Sequence, residues 1–127
     1  MATIKSFTDL EQSKKLAEIL PIESADMHWQ YIEEDNGQLQ WFCFPKDFSI
    51  NQHNTISAWG LAAMFNIIPK KIKDFNVLRI DISDESFAIW YDEIGYGVNA
   101  ELPDIEMKEP IDACYEMILK LHEQNLL

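Results

Sequence analysis

Three histidines (His28, His53, His122), two cysteines (Cys43, Cys114) and twenty-two carboxylates are the side chains with which this 127-residue chain could bind a metal, move a proton or attack an electrophile. Their spacing favours none of these. No histidine has a second ligand two to four positions away, and neither CxxC nor HExxH occurs, so no zinc pattern is present. A Cys–His dyad drawn from distant segments would have to pair Cys43 or Cys114 with His28 or His53. Neither cysteine precedes a helix start or lies in a motif that would lower its pKa. Asp81, Asp84 and Glu85 surround a turn, without the alternating oxygen ligands and central glycine of a calcium loop. Asp104, Glu106 and Glu109 lie in a connector where solvation accounts for them. Gly95-Tyr96-Gly97 lacks the glycines of a phosphate loop and precedes no helix. The expectation is a protein with no catalytic residue, no metal ligand and no cofactor.

Two features of the surface carry more information. Acids outnumber bases by twenty-two to ten, a net charge of −12, which argues against binding nucleic acid through its phosphates. The excess is concentrated between Asp81 and Glu116, with eleven acids against the single base Lys108. Lys70, Lys71 and Lys73 are the one basic cluster, and Arg79 is the one arginine. The second feature is aromatic: seven Phe, four Trp and four Tyr exceed what a single helix-covered sheet face requires.

Those residues must be positioned by a fold built from one domain's worth of chain, residues 1–127, long enough to bury a core without disulfides. Hydrophobic residues make up 47% and charged residues 25%, a globular balance. No apolar run reaches the ~18–20 residues of a membrane span. The N-terminus lacks the basic-then-apolar layout of a secretory signal, and both cysteines sit among apolar neighbours, so a cytoplasmic protein with reduced thiols is expected.

Thr8-Asp9-Leu10-Glu11 reads as a capping box in which Thr8 opens a helix, with Leu10, Ser13, Leu16, Ala17 and Leu20 on one stripe and Pro21 ending it. MHWQYIEE and QLQWFCF flank Asn36-Gly37, a hairpin signal. A two-residue loop there would set Tyr31 against Phe42 and Trp29 against Phe44, leaving Trp41 on the reverse face with Gln30, Ile32 and Cys43. After a polar loop anchored by Phe48 and Ile50, the apolar run Ile56–Ile68 reads as a buried central helix from Thr55 to Asn66. Leu78, Ile80 and Ile82 then alternate with Arg79 and Asp81. Phe87, Ile89 and Tyr91 alternate after the turn at Ser83–Ser86. Matching Ile82 to Phe87 gives a core face of six apolar residues and sets Arg79 opposite Trp90 on the reverse face. Tyr96, Val98, Ala100 and Leu102 would add a third strand. Pro103–Pro110 reads as an acidic connector, and Cys114, Met117, Ile118 and Leu121 form the core stripe of a last helix opened by Pro110. The expected fold is a single α+β domain, a mostly antiparallel sheet of hairpin plus meander covered by three helices, in the order α-ββ-α-βββ-α.

LEQSKKLAEILPIESADM (10–27), AWGLAAMFNIIP (58–69) and IDACYEMILKLHEQNLL (111–127) are similar to segments of a family of small uncharacterised proteins of gut Bacteroidetes, often encoded in or near prophage and mobile-element regions. The resemblance implies a bacterial, phage-related accessory protein and supplies no activity or site residue. From the residues themselves, the expected function is a non-enzymatic interaction or binding domain using the reverse sheet face around Trp41, Arg79 and Trp90, with a protein partner or a second copy as its ligand. Packing of those aromatics under loops or against the first helix is the alternative for that face. The second expectation is an acidic decoy that imitates nucleic-acid phosphates and occupies a basic groove on a DNA-handling protein.

Overall fold

The computed structural model describes residues 5–47, 55–74, 76–93 and 102–127. Phe48, Ile50, His53, Tyr96, Val98 and Ala100, each given a role above, lie outside the described residues. The elements are helix α1 (Leu10–Ile19), strands β1 (Met27–Glu33), β2 (Leu39–Pro45) and β3 (Thr55–Ala58), helix α2 (Leu61–Ile67), strands β4 (Lys71–Ile72), β5 (Asn76–Ile82), β6 (Phe87–Glu93) and β7 (Ile105–Met107), and helix α3 (Pro110–Glu123). The class and the rough order are those expected. The strands form two antiparallel sheets rather than one, ordered β2-β1-β3 and β4-β5-β6-β7.

The run from Ile56 to Ile68 is not one helix. Its first residues form β3, which pairs with β1 and sets Trp29 against Ile56 and Met27 against Ala58. Thr55 and Ile56 are β-branched, and the run reaches a helix only past Gly60, the N-cap of α2. The Gly60 N–H donates to Asp26 Oδ1 at 2.7 Å. A Cβ at Gly60 would stand 3.0 Å from Asp26 Oδ2, so any larger residue here requires the Asp26 carboxylate to give way by a few tenths of an ångström. Between strand and helix, Trp59 is fully buried, with its indole N–H donating to Ser24 Oγ at 2.9 Å.

The α1 cap is one residue later than expected. Asp9 accepts from the Gln12 N–H at 2.8 Å, and Gln12 Oε1 accepts from the Asp9 N–H at 3.1 Å. Thr8 is instead buried, its Oγ1 accepting from the Trp59 N–H at 3.1 Å and sharing a hydrogen bond with Ser13 Oγ at 2.7 Å. Trp29 Nε1 donates to the Thr8 carbonyl at 3.0 Å. This knot of Thr8, Ser13, Trp29 and Trp59 ties the segment before α1 to the three-stranded sheet. Ser13, Leu16 and Leu20 face inward as expected, whereas Ala17 is exposed.

One buried cluster runs from Leu16 and Leu20 through Trp59, Met64 and Ile68 to Phe87, Ile89 and the inner stripe of α3. That stripe contains Cys114, Met117, Ile118 and Leu121, and Pro110 stands in the first turn of α3. Asn125 takes the left-handed conformation after α3 (φ 58°), and the Leu126 N–H closes back on the Leu121 carbonyl at 2.9 Å, a Schellman ending. Pro103–Pro110 is more than a connector, because Ile105 and Met107 pair with Ile89 and Phe87 as β7. Leu102, expected in a third strand, lies outside any strand.

Candidate functional site

The two hairpins position the three candidate surface residues, and they do so differently. β5 and β6 pair in the expected register: Ile82 opposes Phe87, Ile80 opposes Ile89, Leu78 opposes Tyr91 and Arg79 opposes Trp90. Phe87 and Ile89 are buried, so α2 and α3 lie on their side of the sheet, and Arg79, Asp81, Ala88, Trp90 and Asp92 occupy the far side. There the Arg79 Nε–H donates to Asp92 Oδ2 at 3.3 Å and the Trp90 indole N–H donates to Asp92 Oδ1 at 3.1 Å. One carboxylate therefore holds both side chains, and the guanidinium is engaged by an acid. The ion pair is half-exposed and contributes at most about 1 kcal/mol to stability; its effect is to fix the orientation of the half-buried indole.

Trp41 does not join them. It lies in the other sheet, and the loop before it differs from the expected one. The Gly37 N–H donates to the Glu34 carbonyl at 2.9 Å and the Glu34 N–H donates to the Gln38 carbonyl at 2.7 Å. Asp35, Asn36 and Gly37 thus make a three-residue loop, with Gly37 in the left-handed region (φ 82°). The Gln38 N–H donates to Asn36 Oδ1 at 3.0 Å and holds this form. One extra loop residue shifts the pairing so that Tyr31 opposes Trp41, Trp29 opposes Cys43 and Gln30 opposes Phe42. A one-residue shift exchanges the faces of a strand. Trp41 therefore shares its face with Tyr31, at a ring-centroid distance of 5.1 Å, and with Trp29, against which Phe7 packs edge-on at 5.5 Å. It is on the face that receives the N-terminal segment, not on the reverse one.

Of the Cys–His alternatives, those with His53 lie outside the described residues, and the Cys43–His28 pair is divided by its own sheet. Cys43 faces the Trp29 side of its sheet, whereas His28 opposes Phe44 on the other side and contacts Gln30 Nε2. Cys114 is buried on α3, and His122 is exposed near the end of that helix. Burial, with the Asp26 charge adding to it, pushes the Cys43 thiol up to about 12. Burial likewise pushes Cys114 up to about 12, against a weaker downward pull from Lys70. At neutral pH both are protonated and weak nucleophiles. Among the described residues no group of three His, Cys, Asp or Glu side chains could hold a metal ion.

Comparison with protein-family models, with curated proteins and with solved structures gave no match. Among the described residues no helix is long and apolar enough to cross a membrane.

The structure adds one feature to the candidate surface. Alternation made Ile80 and Ile82 core residues, yet they are 40% and 73% exposed. Their side chains point to the helix-bearing side of the sheet, but α2 and α3 cover β6 and leave this end of β5 open. The preceding elements are short in the structure, a seven-residue α2 and a two-residue β4 before a seven-residue β5, and no feature of the sequence marked those lengths.

Proposed function

We propose that this protein is a non-enzymatic interaction module that presents the β5–β6 hairpin of its four-stranded sheet to a protein partner. The observation that carries the reading is Trp90, a half-buried indole held by the same carboxylate that holds Arg79, on a sheet side that no described helix covers. Large amphipathic rings beside an arginine are the residues most enriched where protein surfaces meet. A prearranged indole loses little side-chain freedom on docking, which lowers the cost of association. The protonated thiols, with Cys43 facing away from His28 across its sheet and Cys114 buried on α3, support a non-enzymatic reading. The resemblance noted above would place the partner in a phage or mobile-element setting.

Site-specific photo-crosslinking tests this. A benzoylphenylalanine replacing Ala88, between Asp81 and Glu106 on the far side, should give a covalent adduct heavier than the chain in cells that naturally carry it. The same group replacing the exposed Ala17 of α1 should give none. Replacing Trp90 with alanine should reduce the adduct at position 88. No adduct at position 88, or equal adducts at both positions, would refute the reading.

The acidic-decoy reading is favoured by a single observation, the row in which Asp81 and Glu106 flank Ala88 across three strands. It predicts an adduct at position 88 that disappears steeply with added salt and weakens in the Asp104→Asn/Glu106→Gln/Glu109→Gln variant. Asp92 and Asp112 are already paired, with Arg79 and Lys5, so the acidic stretch presents less free charge than its composition indicates.

A further inference from the structure

We propose that the open edge of β5 takes up an extended strand from the partner, one that alternates apolar residues with a basic residue opposite Asp81. This rests on the interaction-module reading and adds the conformation and chemistry of what docks. β6 pairs with β5 along its whole length, whereas β4 reaches only Asn76 and Val77. The Leu78 N–H donates to the Lys70 carbonyl at 2.9 Å, and among the described residues the pairing stops there. Alternate residues of a strand direct their backbone groups to opposite sides. Because Leu78 points outward, so do Ile80 and Ile82. Across the hairpin, the Ser83 N–H donates to the Ser86 carbonyl at 2.9 Å, which fits the odd-numbered residues pointing to β6. Among the described residues, two N–H and two C=O groups at Ile80 and Ile82 therefore have no strand partner and can accept one.

The side chains at this edge match such a ligand. A groove of about 480 Å³ runs beside Phe65, Leu78 and Ile80, edged by Lys70, whose ammonium donates to the Phe65 and Ile68 carbonyls, and by Arg79. A second, of about 330 Å³, lies beside Ile82, Phe87 and Pro110. A strand continuing the line of β4 would turn alternate side chains into this apolar strip and the others toward the far side, next to Asp81. Asp81 is exposed and makes no ion pair among the described residues, while Arg79 is already engaged by Asp92. Asp84 and Glu85 follow at the turn, in a chain of net charge −12. A lysine or arginine opposite Asp81 is the complement.

A second copy of β5 fits worse. Antiparallel pairing of Ile80 with the second copy's Ile82 sets two Asp81 carboxylates directly opposite, where like charges repel. Pairing Ile80 with its own counterpart drives Ile82 onto Leu78, whose N–H is taken by Lys70. Pairing centred on Ile82 leaves one strand residue on each side.

The probe is a blocked, fluorescent seven-residue peptide of alternating valine and threonine with a central lysine. It should bind and shift the amide resonances of Ile80 and Ile82. Replacing its lysine by glutamate should weaken binding about tenfold, and Asp81→Lys should reverse that preference. N-methylation of the two valines beside the lysine removes the donors opposite Ile80 and Ile82 and should abolish binding. No binding by the lysine peptide, undiminished binding after N-methylation, or a preference unmoved by Asp81→Lys would overturn the inference. So would a concentration-dependent dimer, seen by sedimentation and lost in Ile82→Lys, which would assign the edge to a second copy. Each of these failures leaves the crosslinking result at position 88 intact, so the two readings fail separately.

Discussion

Thr8→Val is the most economical probe of the knot that joins the N-terminal segment to the three-stranded sheet. Valine has nearly the shape of threonine, so the exchange opens no cavity and isolates the hydroxyl. Thr8 Oγ1 is the acceptor for the Trp59 N–H at 3.1 Å, and both residues are fully buried. With the hydroxyl gone, that N–H has neither a protein acceptor nor water. Ser13 loses its 2.7 Å partner too but retains the Thr8 carbonyl at 3.3 Å. One buried donor is thus orphaned, at a cost of about 1–3 kcal/mol. For a domain of this size each kcal/mol lowers Tm by about 3–6 °C. Urea unfolding should show an earlier midpoint with an unchanged m-value, since the surface exposed on unfolding is the same. Ser13→Ala should cost about 1 kcal/mol, because Thr8 still accepts from Trp59. The double variant should cost less than the sum of the two, because each single exchange strips the other residue of its hydroxyl partner. A Thr8→Val stability within about 0.5 kcal/mol of the parent would refute the reasoning.

Other outcomes follow from the same geometry. Ile89→Ala should cost about 2–5 kcal/mol by thermal or urea unfolding, whereas Ile82→Thr, on the same side of the sheet but 73% exposed, should change stability by no more than about 0.5 kcal/mol. Both thiols should react with a disulfide reagent far more slowly at pH 8 than in urea, because both are pushed up to about 12. Since the unfolded chain releases those protons from about pH 9, the native state then holds the greater number, and stability should fall as pH rises from about 9 toward 12. At the acid end, partial burial raises the Asp9 carboxyl, but the Gln12 N–H and the Lys5 ammonium outweigh it and hold the group below its usual value. Its contribution is present above the unfolded value and lost as pH falls through the lower folded one, so Asp9→Asn should flatten the decline of Tm below about pH 4. Gly60→Ala should destabilise by displacing Asp26 from the Gly60 N–H, with φ itself unstrained at −80°.

Legibility in the sequence followed the range of the interaction. The β5–β6 register, the inner stripe of α3 and its Pro110 start depend on alternation, helical period and one residue's ring, all of which are local. The capping box illustrates the limit. Thr8-Asp9-Leu10-Glu11-Gln12 satisfies the motif in two frames, and the frame is decided by Trp59, fifty-one positions away, which takes the Thr8 hydroxyl. Likewise the apolar run Ile56–Ile68 has no internal mark of where strand becomes helix; pairing with β1 and the Asp26 contact at Gly60 decide it.

The candidate surface shows the consequence for function. In the first hairpin, Asn36-Gly37 is compatible with a loop of two residues or of three, and that one residue determines which side of the sheet carries Trp41. In the second hairpin the apolar alternation on both sides of Ser83–Ser86 matches the register that forms, so Arg79 and Trp90 fell where alternation put them. Alternation could not reveal that the opposite side of β5 is uncovered, because whether an apolar residue is core depends on the length of what packs over it. Ile80 and Ile89 are directly opposed, identical in type and on one face, yet one is 40% exposed and the other fully buried. The difference lies in the short reach of α2 and β4, which among the described residues leaves β5 with apolar side chains and unpaired backbone groups at the same edge. A strand that retains both is open to aggregation unless something restrains self-pairing. Asp81 meets that need, set between the two isoleucines where it repels its own copy and attracts a basic strand.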